Sequence, residues 1–177
     1  MKEIKSKNYS IYLHNNRYNK LFDFIKSKNY SKIFIHLDSN TKNLCLDVFL
    51  NQIEKIDYQT LVSKSGEEYK NIKSCISLWN SLSELNADRK SLIINLGGGV
   101  VGDMGGFIAS TFKRGIDYIN IPTTLLSMVD ASVGSKTGID LGVLKNQVGS
   151  FYDPKMVIID TVSVSYTHLR AHETRNN

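Results

Sequence analysis

Two segments of this sequence hold residues whose types and spacing could do chemistry. The first is Gly97-Gly98-Gly99-Val100-Val101-Gly102-Asp103, which fits GxGxxG through Gly97, Gly99 and Gly102. It lies between a predicted strand and a predicted helix. Glycines there let backbone N–H groups approach a pyrophosphate without interference from Cβ, and the helix amino terminus adds a favourable dipole. A glycine cluster also suits a plain tight turn; the strand-to-helix context is what favours phosphate binding. The ordinary dinucleotide fingerprint carries an acid about 20 residues further on, to clasp a ribose. That stretch here holds only Asp117, ahead of its strand. Asp38 is better placed, at the carboxyl end of a strand where open α/β sheets bind ligands. The competing reading of Asp38 is a cap for the helix that follows.

The second segment spans residues 123–138 and closes with Lys145-Asn146. Small and hydroxylated residues surround Asp130, which reads as buried, and two lysines. Lys136, set among Gly, Ser and Thr, can act as a compact cation for a phosphate or carboxylate. Asn146 could supply an amide donor to the same anion. The alternative for Lys136 is a solvated side chain in a polar loop. The histidines offer less. His14 and His36 lie near apolar segments and read as structural or exposed. His168 and His172 have the i,i+4 spacing of a helical zinc pair, but no carboxylate ligand accompanies them. Cys45 and Cys75 are too far apart for a CxxC motif and read as reduced thiols.

These segments need elements to position them. Residues 31–37 are apolar and β-branched and predict a buried strand ending in a turn at 38–40. Leu21, Phe22 and Ile25 mark an amphipathic helix over 18–28, and Leu44, Val48 and Phe49 another over 41–52. A short strand at 60–62 leads into a polar loop at 65–70. Ile72, Ile76, Trp79 and Leu82 predict a helix over 71–85. A strand at 91–96 runs into the glycines, a small-residue helix covers 104–110, and strands follow at 118–121, stopped by Pro122, and at 155–160. Strands of continuous apolar character alternating with helices imply α/β, a Rossmann-like parallel sheet with helices on both faces.

The chain has 177 residues, 41% of them hydrophobic and 22% charged, which suits a globular domain with a sizeable core. The formal charge is +5, with much of the excess as lysine scattered over the first 90 residues. That dispersion suits a solvated surface, so no nucleic-acid partner is expected. No apolar run approaches the ~18 residues that cross a bilayer, and the amino terminus lacks the apolar stretch of a secretory signal. No membrane partner is expected, and the expected location is the cytoplasm. After about residue 164 apolar periodicity stops and the composition departs from the Lys/Asn/Ile-rich body. Residues 1–162 are expected to form the domain, and 163–177 a non-native tail.

Assembled in order, residues 65–70, 97–103, 113–115, 121–126, 129–136, 145–146 and 149–154 resemble 3-dehydroquinate synthases, over roughly residues 30–162. The resemblance implies that residues 1–162 are the amino-terminal, NAD-binding part of a two-domain enzyme. It assigns NAD to Asp38, Asn40, Glu67, Lys70, Gly99, Val100, Val101, Gly102, Asp103, Thr123, Thr124, Lys136 and Lys145. It assigns substrate contact to Asp130, Lys136 and Asn146, and it matches Arg114 to an arginine that reaches a phosphate site in the neighbouring subunit of a homodimer. The implied substrate is a sugar phosphate, 3-deoxy-D-arabino-heptulosonate 7-phosphate, converted to 3-dehydroquinate and phosphate in the shikimate pathway.

The resemblance also implies a divalent metal, zinc or cobalt, held by one Glu and two His of a second, helical domain. That domain is expected to be absent from this chain, which leaves no metal ligands here and little activity. The family usually reads Ser-Val-Gly-Gly-Lys-Thr where this chain has Ser135. Its Cβ is expected to be tolerated at negative φ and to impair anion binding at positive φ. Other readings are a different sugar phosphate cyclase, making an inosose or valiolone, and a non-catalytic NAD-binding fragment. Metal-dependent alcohol and glycerol dehydrogenases share the glycine turn but not the run from Asp130 to Lys136.

Overall fold

A computed structural model of the chain describes residues 2–14, 18–53 and 55–160. Its centre is a seven-stranded sheet. The strands, in chain order, are β1 (Lys2–Lys5), β2 (Ser10–His14), β3 (Lys32–Asp38), β4 (Gln59–Ser63), β5 (Ser91–Gly97) and β6 (Asp117–Pro122), with β9 (Met156–Asp160) last. A separate hairpin is formed by β7 (Lys136–Leu141) and β8 (Leu144–Phe151). The sheet order is β1-β2-β9-β6-β5-β3-β4, parallel throughout except for β1, which pairs antiparallel with β2 at the edge.

Four helices connect the strands: α1 (Asn19–Lys28), α2 (Ser39–Leu50), α3 (Ile72–Glu84) and α4 (Gly99–Thr111). From β3 the chain passes through α2 to β4, then returns through α3 to β5 on the other side of β3. The winding therefore reverses between β3 and β5, and their carboxyl ends flank the crevice where open α/β sheets take ligands. Both segments singled out for chemistry meet near that crevice, because the glycine run follows β5 directly.

Each face of the sheet carries its own core. Leu21, Ile25, Cys45 and Phe49 of α1 and α2 pack on Ile33, Ile35, Leu37, Leu92, Ile94 and Leu96. On the other face, Cys75, Leu78 and Leu82 of α3 and Met104, Phe107 and Ile108 of α4 pack on Phe34, Leu61 and Ile93. Burial on both faces is why β3 and β5 read as continuous apolar runs without alternation.

Three expectations are corrected. In α3 the buried stripe is Cys75, Leu78 and Leu82, while Ile72 and Ile76 are 43% and 48% exposed. This helix has apolar residues on two sides, and the side that packs on β4 and α4 includes a cysteine acting as a small hydrophobe. Helix α4 begins at Gly99, five residues before the expected 104, because burial of residues 104–109 overrides the poor helix propensity of glycine. Strand β6 does end at Pro122, but it includes that residue and begins at Asp117, one residue beyond the expected 118–121 at each end. The strands β1, β2, β7 and β8 carried no sequence expectation.

Candidate active site

The glycine run turns the chain from β5 into α4. Gly98 is the N-cap of α4, in extended conformation and without a side chain to cap the helix, so the first-turn N–H groups are not claimed by a capping side chain. A Cβ on Gly97 would lie 2.6 Å from the Val101 side chain, which explains the smallest residue there. Thr123 closes the turn from β6, its N–H donating to the Gly97 carbonyl at 3.0 Å. Thr124 follows against Gly98, and its hydroxyl lies 2.8 Å from that of Ser127 at the start of one wide helical turn, Ser127–Ala131. That turn carries Asp130. A Cβ on Gly99 would meet the Cβ of Ala131 at 3.3 Å, so the glycine turn and the Asp130 segment adjoin.

Beneath α4 runs a buried polar row that crosses four strands. Ser63 Oγ lies 3.4 Å from His36 Nε2, His36 Nδ1 lies 3.1 Å from Asn95 Oδ1, and Asn95 Nδ2 donates to Asn120 Oδ1 at 3.0 Å. Burial lowers the His36 pKa to about 4, although the Asn95 contact and the Asp38 charge act the other way. Gly105 of α4 sits on this row: a Cβ there would come within 1.9 Å of Asn95 Oδ1. At the end of β3, Asp38 caps α2. Its Oδ1 accepts from Thr41 N–H at 2.7 Å, and Asn40 is exposed one residue into the helix. The cap reading of Asp38 is therefore realised at the place where a ligand reading would also put it.

Next to the glycine turn lies a cleft of about 430 Å³, lined among others by Asp103, Asp130, Lys136, Thr137, Asn146 and Ser150. The three residues expected to touch substrate, Asp130, Lys136 and Asn146, thus share one cavity. Asp130 is exposed, not buried as its small neighbours suggested, because the wide turn points it into the cleft. Lys136 opens β7, and Asn146 sits in β8 with φ +54. Ser135, just before Lys136, has φ +61, and its hydroxyl donates to Asp153. Asn8 donates to the other oxygen of Asp153 at 2.7 Å. These bonds hold the Asp153 carboxyl below the usual carboxylate range and anchor the positive-φ serine.

Lys70, expected at the cofactor, is buried. Its ammonium lies 2.6 Å from Asp103 Oδ2 and 2.6 Å from Asn146 Oδ1. Burial raises the Asp103 pKa; the Lys70 bond and charge pull it back only in part. Lys145 pairs with Glu67 at 3.4 Å with both side chains well exposed, a contact of small energetic weight. Arg114 is exposed, at φ +71 on the turn Phe112–Arg114, outside this cleft. Cys45 and Cys75 are free and buried, and burial pushes their thiols up to about 11 and about 12, which leaves neither as a nucleophile.

Among the described residues no group of three or more His, Cys, Asp and Glu is arranged to hold a metal ion, so they do not fit the implied divalent metal. His168, His172 and Glu173, the boundary at 162 and the segment 163–177 lie outside the described residues, as does the side chain of His14. Among the described residues no helix is long and apolar enough to cross a membrane.

Comparison with known proteins gives this geometry a family. Residues 60–175 match the 3-dehydroquinate synthase N-terminal family. The chain is 49% identical over 140 residues to the 3-dehydroquinate synthase of Parabacteroides distasonis, covering 79% of this chain and 40% of that protein. It is 46% identical over 131 residues to that of Campylobacter jejuni, covering 74% of this chain and 37% of that protein. The fold superposes with a TM-score of 0.79 and 26% identity on 2-deoxy-scyllo-inosose synthase complexed with carbaglucose-6-phosphate, NAD+ and Co2+, covering 93% of this chain and 46% of that one. The chain therefore spans about 40% of the length of these two curated relatives. Alignment, fold and the order of the site segments agree: the chain belongs to the 3-dehydroquinate synthase family, within the region of its N-terminal domain.

Proposed function

We propose that this chain binds NAD at the glycine turn and a sugar phosphate in the adjoining cleft, as part of a cytoplasmic 3-dehydroquinate synthase acting on 3-deoxy-D-arabino-heptulosonate 7-phosphate. The observation that carries the reading is the convergence of Asp130, Lys136 and Asn146 in one cavity whose wall, through Ala131 and Asp103, is also the edge of the glycine turn. The uncapped first turn of α4 suits a pyrophosphate. Asp38 and Asn40 at the end of β3, and Thr123 and Thr124 at the end of β6, frame the nucleotide from either side. NAD bound there supplies the transient oxidation of a substrate hydroxyl. The chain's own groups bind and orient. Lys136 holds the phosphate as a fixed cation, Asn146 donates to it, and Asp130 accepts from substrate hydroxyls; a phosphate so placed can take up the proton released in its own elimination. Arg114, exposed and outside the cleft, is assigned to the phosphate site of a second copy in a homodimer.

Calorimetric titration with NAD tests this. Saturable binding is expected, and Gly99→Val, which drives side-chain atoms into Ala131, is expected to abolish it while thermal unfolding stays cooperative. A cooperatively folded chain that takes up no NAD refutes the proposal. The solved relative that binds carbaglucose-6-phosphate favours one further reading, a cyclase for another sugar phosphate. Competition between the heptulosonate phosphate and glucose 6-phosphate for the cleft separates the two.

A further inference from the structure

An ammonium group donates hydrogen bonds and accepts none. The Lys70 side chain is only 4% exposed, and its Nζ lies 2.6 Å from Asp103 Oδ2 and 2.6 Å from the side-chain carbonyl of Asn146. Lys70 therefore dictates which end of the Asn146 amide faces it: the oxygen is consumed, and the NH2 group is turned the other way. The main chain repeats the tie. Asp140 N–H donates to the Lys70 carbonyl at 2.9 Å, and Asp140 Oδ1 accepts from Asn146 N–H at 2.8 Å. Asn146 is held by these contacts at φ +54 on an otherwise exposed strand, a conformation that asparagine tolerates better than most residues.

We infer that Lys70 is a positioning residue, which fixes the Asn146 amide so that only its two N–H donors are presented to an anion in the cleft. This rests on the reading of the cleft as a phosphate site, and it gives Lys70 a task besides any contact with the dinucleotide. Two of the three N–H donors of its ammonium are already engaged within the protein. Without Lys70 the amide is free to flip, and half of its orientations would place a carbonyl oxygen against the phosphate.

Removing Lys70 alone would leave the half-buried Asp103 carboxylate without its cation, so Asp103→Asn serves as the background. The test compares the unvaried chain, D103N and K70M/D103N by NMR of the Asn146 side-chain amide, then by titration with inorganic phosphate. The Asn146 NH2 pair is expected to keep its dispersed position in D103N and to move to solvent-like shifts in K70M/D103N. The phosphate Kd is expected to rise about tenfold between those two variants. Asn146→Asp keeps an acceptor for Lys70 and loses both donors, so it should keep the thermal midpoint and lose phosphate. Unmoved Asn146 resonances in K70M/D103N overturn the inference, as does phosphate affinity that survives K70M/D103N or N146D. If the unvaried chain takes up no phosphate, the proposed function of the cleft fails instead, and the Asn146 resonances still decide the role of Lys70.

Discussion

His36 is 1% exposed, between Ser63, Asn95 and the underside of α4, and burial brings its pKa from 6.5 to about 4. The unfolded chain takes up a proton near pH 6.5, whereas the folded chain resists it until about pH 4. The stabilisation is therefore whole above pH 6.5 and declines as the pH falls through that window. Below pH 4 it is gone. The fall from 6.5 to about 4 corresponds to about 3 kcal/mol in full, of which about 2 kcal/mol is lost between pH 7 and pH 5. Among neighbours, Asp38 acts on His36 by charge and Val101 through its main chain. His36→Gln keeps a hydrogen-bonding side chain of similar size and cannot titrate. The assay is urea unfolding at pH 7 and pH 5 for both chains. The native chain should lose about 2 kcal/mol more than H36Q over that interval, with equal m-values. Parallel profiles, agreeing within about 0.5 kcal/mol, would refute the claim that His36 stays neutral in the fold.

The same row sets two glycines apart. Gly105→Ala would push a methyl to 1.9 Å from Asn95 Oδ1 and 2.7 Å from His36 Nδ1, and should cost about 3 kcal/mol in urea unfolding; Gly102→Ala, whose Cβ meets nothing closer than Asn120 Oδ1 at 4.0 Å, should not lower stability at all. At position 135, Ser→Ala keeps the left-handed backbone and loses the bond to Asp153, an expected loss of about 1 kcal/mol, whereas Ser→Gly relieves the backbone as well and should come out near zero. In both variants the Asp153 carboxyl, followed by carbon NMR, should titrate higher; an unmoved titration would show that the serine hydroxyl is not bound there.

The sheet was legible because β3, β5, β6 and β9 are buried on both faces, and a strand in that setting announces itself as an unbroken apolar run. The hairpin β7–β8 has no such signature. Its Leu141, Val143, Leu144 and Phe151 are exposed, mixed with glycines and charges, and the signal that could have found it is Gly142, at φ +61 in a tight turn. The convergence of Asp130, Lys136 and Asn146 was legible through the family's ordered motifs. The Lys70–Asp103–Asn146 junction was not. Its members stand 33 and 76 positions apart and follow no periodicity, so only packing shows that one ammonium serves both. His36, Asn95 and Asn120 stayed hidden for a related reason. Each is a single polar residue inside an apolar strand, and nothing in a linear pattern says that parallel pairing will set them side by side.

The arrangement separates what the cleft groups do from the medium in which they must do it. Asp130, Lys136 and Asn146 face water, where a cation and a phosphate 4 Å apart attract by only about 1 kcal/mol per unit charge; at an effective dielectric constant near 20 the same pair is worth about 4 kcal/mol. Fixed charges act more strongly on a bound anion the less water reaches them. Exposed apolar side chains stand beside these groups: Phe151, in the cleft wall, is 86% exposed, and Leu126 and Val129, on the segment that carries Asp130, are 71% and 70% exposed. By contrast, Lys70 and the His36 row are already inside the fold, with Asp103 at the cleft wall, so the alignment of the donors is settled within the chain itself. On this division, substitutions in the buried set act on geometry and stability, and substitutions of the exposed cleft groups act on the charge presented to an anion.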